Sequence, residues 1–135
     1  MNQKHVPDLE LCQELDRLCK EKNITLPETE YIWLKWKHHE EPWLLSKSEE
    51  AFYQEQGAKK PEWTIPAPLV SELGEWLPWS IDTGCVNFDN CPSWHRVTYY
   101  RGEHYLEQTA STEANARQKM LNYLIAEGII TTLWT

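Results

Sequence analysis

The sequence predicts an α+β protein: an antiparallel sheet built from hairpins, with N-terminal, middle and C-terminal helices packed on one face. Three observations lead there. Apolar stripes at helical spacing occupy both ends of the chain. Segments with period-two alternation, YIWLKWK and WHRVTYY, lie between them. Turn residues, most plainly Arg101-Gly102-Glu103-His104, then join neighbouring strands. A length of 135 residues suits one core, so a single domain over residues 1–135 is expected.

Between residues 8 and 22, Leu11, Cys12, Leu15, Leu18 and Cys19 fall on one helical stripe, and Asn23 reads as its stop. Ile32, Leu34 and Trp36 form one face of the next segment, expected to meet the core. Tyr31, Trp33, Lys35 and Lys37 form the other, and a hairpin turns at His38 to Pro42. Ser48 to Trp63 is polar and contains Gly57 and Pro61, which predicts a surface connection with a helical turn around Ala51 to Gln56. A short helix from Ala67 to Leu77 follows, with Pro68 at its first position, Pro78 beyond its end, and Leu69, Leu73, Trp76 and Leu77 buried.

Strands are expected at Gly84 to Phe88, Trp94 to Arg101 and His104 to Thr109. A two-residue turn at Gly102-Glu103 pairs Tyr100 with Tyr105 and Tyr99 with Leu106. That register puts His95, Val97, Tyr99 and Leu106 on one face and Trp94, Arg96, Thr98, Tyr100, Tyr105 and Glu107 on the other. The last helix starts at a Ser111 N-cap, has Glu113 in its first turn, and buries Met120, Leu121, Leu124 and Ile125 before Gly128 stops it. The tail from Gly128 to Trp134 is expected to pack back on the domain.

The formal net charge is -8 and is evenly spread: nine Lys/Arg face thirteen Asp/Glu in residues 1–65, and four face eight in residues 66–135. Such a field repels phosphate, so extensive nucleic-acid binding is not expected. No signal-like apolar run opens the chain, and no stretch approaches the roughly 18 apolar residues of a membrane span, which predicts a cytoplasmic protein with no membrane contact. In that compartment four cysteines do not imply two disulfides.

Cys85, Cys91 and His95 are the one metal-like constellation, but their C-x5-C-x3-H spacing is loose for zinc and lacks a fourth ligand. His104, six residues along the strand from His95, lies too far away to supply it, and His38 or His39 could do so only if the first hairpin tip folds over. The reading taken is a turn at Asp89-Asn90-Cys91-Pro92-Ser93 with no metal, although a Cys85–Cys91 disulfide across that loop remains geometrically open. His38-His39-Glu40-Glu41 sits on a solvated tip that would not tune a catalytic group, and no nucleophile elbow, phosphate loop or dinucleotide fingerprint occurs. No catalytic residue, cofactor or enzymatic activity is therefore expected.

Tryptophan is the unusual feature, with eight in the chain. Alternation sends Trp33, with Trp43 near it, and Trp94 with Tyr100 and Tyr105 away from the core, giving two outward aromatic groups. Aromatic clusters of this kind mark contact surfaces. The expected partner is another protein or a second copy of the chain, acting as a dimer.

Two blocks, IPAPLVSELGEWLP and STEANARQKMLNYLIAEGII, resemble the small acidic α+β proteins carried by bacteriophages and prophages. In those proteins a Leu/Cys-rich helix, an AP-x-x-x-EL-x-x-x-LP segment, a strand pair ending in an aromatic and an EA-x-AR-x-x-ML-x-YLI ending recur in that order. The resemblance spans most of the chain and implies an accessory role in a mobile element, but its motifs are caps and core positions that transfer no functional residue. From Ala67 the order helix, three strands, helix is also similar to double-stranded RNA-binding domains. Those carry lysines at the start of the last helix, where this chain has Ser-Thr-Glu-Ala-Asn. A nucleic-acid-associated domain using Trp33, Lys35 and Lys37 is the alternative reading.

Overall fold

A computed structural model describes residues 5–101 and 103–133. Helix α1, Leu9–Glu21, buries Cys12, Leu15, Leu18 and Cys19. Asn23 ends it in the left-handed region, at φ 58°, and the Ile24 N–H returns to the Cys19 carbonyl at 2.8 Å. Asparagine tolerates that backbone better than any other non-glycine residue, and the returning bond satisfies a helix-end carbonyl.

Strands β1, Tyr31–Lys35, and β2, Trp43–Ser46, form the expected hairpin. Ser46 then caps helix α2, Lys47–Glu55: its hydroxyl accepts the Glu49 N–H and the Glu49 carboxylate accepts the Ser46 N–H. A third strand, β3, Trp63–Ala67, pairs antiparallel with the other edge of β1. The sequence reading ends its surface connection at Trp63 and starts a helix at Ala67, with no strand between them. The order β2-β1-β3 explains why Pro66 is tolerated in β3, since an edge strand can lack one ladder donor. Helix α3, Val70–Trp76, consequently begins later than Pro68, and the Glu72 carboxylate accepts the Leu69 N–H at 2.7 Å.

A second antiparallel sheet has the order β4-β5-β6-β7 and comprises β4, Ser80–Ile81; β5, Gly84–Cys91; β6, Trp94–Arg101; and β7, His104–Ala110. The pairings Tyr100 with Tyr105 and Tyr99 with Leu106 are as the sequence predicts. The conformation of Gly102 lies outside the described residues. Helix α4, Glu113–Ala126, is capped by the Thr112 hydroxyl rather than by Ser111, and it ends at Gly128, φ 71°, with Ile129 N–H on the Leu124 carbonyl. The fold is therefore α+β, but with two sheets where one is expected.

The main core lies between the inner face of the second sheet, carrying Val97 and Tyr99, and the apolar sides of α1, α3 and α4. Tyr99 is fully buried and donates its hydroxyl to the Pro78 carbonyl at 2.6 Å. Ile130 and Leu133 of the tail pack on this core. The three-stranded sheet is covered on both faces. Val6 and Cys12 close over Trp33, Ile65 and Ala67, while Ile32, Leu34, Trp36 and Leu45 meet Trp43 and Tyr53 on the opposite side.

Helix α1 thus serves two layers, and the face of β1 expected outside lies beneath it. Trp33 is a correction: it is 8% exposed. Its strand is central in its sheet, a position invisible without β3. Trp43 pairs with Leu34, not Trp33, so the two rings lie on opposite faces.

Candidate binding surfaces

Among the described residues, the second sheet is covered on one face. Along β6, Val97 and Tyr99 point inward, and alternation sends Trp94, Arg96, Thr98 and Tyr100 outward, beside Tyr105 and Glu107 of β7 and Asn87 and Asp89 of β5. Trp94 is 40% exposed, Tyr100 53% and Tyr105 64%. These three of the five expected contact residues share one solvent-facing surface. Trp33 is buried and Trp43 belongs to another region.

Arg96 organises this surface. Its Nε and Nη2 donate to Asp89 Oδ2 at 3.1 and 2.9 Å, and Nη1 donates to Glu107 Oε1 at 3.2 Å. Three adjacent strands are thereby tied by one guanidinium, which also lies 5.4 Å from the centre of the Trp94 ring. The hydrogen bonds it donates to Asp89 and Glu107 push its pKa further up. Tyr100 and Tyr105, paired across the strands, complete an open depression of about 600 Å³.

Cys85 and Cys91 occupy opposite ends of β5. Six residues of strand separate them by roughly 20 Å, which closes the disulfide that sequence spacing leaves open. The expected five-residue turn shrinks to Pro92-Ser93, because Asp89 pairs with Arg96 and Cys91 with Trp94. His95 Nδ1 lies 2.7 Å from Asn90 Oδ1. Among the described residues no group of three or more His, Cys, Asp or Glu side chains is placed to hold a metal ion.

A second region, around the β1–β2 hairpin tip, was not legible from sequence. Trp36, Trp43 and Tyr53 meet edge to face or tilted, with ring centres 5.9 to 6.3 Å apart. His39 stands 4.8 Å from the Trp43 ring. These rings form the mainly apolar wall of a cavity of about 360 Å³, which is also lined by the exposed Lys37, His38, His39, Lys59 and Lys60. Among the described residues the buried indole N–H of Trp36 has no hydrogen-bond partner. The helical turn expected around Ala51 to Gln56 is the second half of α2, whose start is marked by the capping signal Ser46-x-x-Glu49, and this helix brings Tyr53 to the hairpin.

The remaining perturbed groups are structural. Burial pushes the Cys12 thiol up to about 12 and the Cys19 thiol to about 11, and it raises the Tyr99 hydroxyl as well. Among the described residues no helix is long and apolar enough to cross a membrane. Compared with known protein families, curated proteins and solved structures, the chain matches none at significant similarity.

Proposed function

We propose that this chain is a non-catalytic accessory protein of the phage or prophage type that binds another protein through the outer face of β5, β6 and β7. The observation that carries this reading is the one-sided packing of the second sheet. Helices seal its inner face, while Trp94, Tyr100 and Tyr105 stand on the other with 40 to 64% of their surface in water. Tyrosine and tryptophan supply large contact area at low entropic cost, so such a cluster favours a protein partner. Arg96 is already fixed by Asp89 and Glu107, which lowers the ordering cost of docking.

Charge narrows the partner. Asp89 and Glu107 outweigh Arg96 on this face, and the whole chain carries -8. A second copy would bring like charge against like, so the favoured partner is a different protein with an apolar patch flanked by basic groups. A photo-crosslinking amino acid placed at Tyr105, Tyr100 or Phe52 in the producing cells tests this. The same adduct protein from positions 105 and 100, absent from the exposed control at Phe52, is the expected result. Equal labelling at all three, or crosslinks solely between copies of the chain, contradicts it.

A further inference from the structure

The hairpin-tip cavity is independent of the sheet face and has a different chemistry. Its volume, about 360 Å³, is at the scale of a small ligand site. Its wall is aromatic, formed by Trp36, Trp43 and Tyr53, and its exposed lining is basic. In a chain with 21 acidic against 13 basic residues, three lysines beside two histidines lining one cavity are a local reversal of sign. Among the described residues, Lys37, Lys59 and Lys60 make no ion pair, and Glu40 and Glu41 share the tip without lining the cavity.

Aromatic walls alone suit either a flat ring or a quaternary ammonium group. Here the lysines decide. Their ammonium groups repel a cation and attract an anion, so the occupant has an aromatic body and a negative tail. We propose that this cavity binds a nucleoside phosphate, free or within a single strand, its base stacked on the Trp43 side of the wall and its phosphate held by Lys37, Lys59 and Lys60. The three rings already touch, which leaves no slot for a sandwiched base. Stacking is therefore one-sided.

Isothermal titration and tryptophan fluorescence on the full chain test the assignment with four probes: adenosine 5′-monophosphate, adenosine, inorganic phosphate and a short oligothymidylate. The expected result is saturable quenching by the nucleotide and the oligomer, with adenosine and phosphate each weaker by about tenfold or more. Lys59→Gln with Lys60→Gln weakens nucleotide binding about tenfold at low salt without moving the unfolding midpoint, since both side chains are exposed. Trp43→Ala removes the quenching, and the lysine pair keeps the test valid if that variant fails to fold. An oligomer bound at least about tenfold tighter than the mononucleotide identifies a single strand as the occupant; equal affinities identify a free nucleotide. No saturation up to about 10 mM, affinity indifferent to the lysine pair, or tighter binding of tetramethylammonium than of the nucleotide overturns the proposal.

Discussion

Arg117 reaches from α4 across to α3, where its Nη1 donates to the Val70 carbonyl at 3.0 Å while Nη2 holds Glu113 at 2.6 Å. The guanidinium lies 4.2 Å from the centre of the Phe88 ring. Gly74 makes room for it, because a Cβ there would stand 2.5 Å from Arg117 Nη1. Helix propensity alone predicts that Gly74→Ala stabilises by about 1 kcal/mol. The clash is with the far end of a flexible side chain that can shift at the cost of its Val70 hydrogen bond, so urea unfolding of Gly74→Ala should show a smaller gain than the about 1 kcal/mol that helix propensity predicts. The cysteines offer a second test at this scale. Cys12 and Cys19 are buried with raised pKa values, whereas Cys85 is exposed. Mass spectrometry after brief alkylation of the native protein should find Cys85 modified about a hundredfold faster than either helical cysteine. The burial of Cys12 and Cys19 was legible from helical spacing, but the Arg117–Gly74 contact was not, because it joins residues that no local pattern relates.

Two asparagines fasten α1 to α4. Asn115 accepts the Asp8 N–H at 2.8 Å and donates to the Asp8 carboxylate at 3.0 Å, while Asn122 donates to the Leu11 carbonyl at 3.1 Å. Asn115→Ala leaves a helix-terminal N–H unpaired and should cost about 1 to 3 kcal/mol in chemical denaturation. Helix α3 supplies the pH dependence. Burial raises the Glu72 carboxyl above its usual value of 4.5, with hydrogen bonds from the Leu69 and Glu30 backbones opposing the rise. A raised acid favours folding fully below 4.5 and loses that contribution as pH climbs through the folded value. Glu72→Gln is accordingly expected to be slightly more stable than the parent at pH 7, with the difference vanishing below the usual value of 4.5 in urea titrations at the two pH values. Helices α1 and α4 were readable because each carries its own stop signal, at Asn23 and Gly128. Strand β3 was not, since Pro66 is acceptable only at an edge and edges are assigned by partners.

Across the whole molecule the two sheets differ in one respect that governs where binding can occur. The three-stranded sheet is packed on both faces and the four-stranded sheet on one. The aromatic face of β6 and β7 was legible because a tight turn fixes register and register fixes faces. Trp33 misled because alternation says which residues share a face, never what covers it. The same limit hid the hairpin-tip cavity, whose wall comes from strands and a helix that only tertiary packing joins. The proposed function requires that the open face of the second sheet docks a partner and contributes little to folding. Its most direct test is the affinity of the crosslinked partner for the folded variant carrying Tyr100→Ser and Tyr105→Ser, measured by titration calorimetry. A loss of about tenfold or more is predicted; unchanged affinity would contradict the claim.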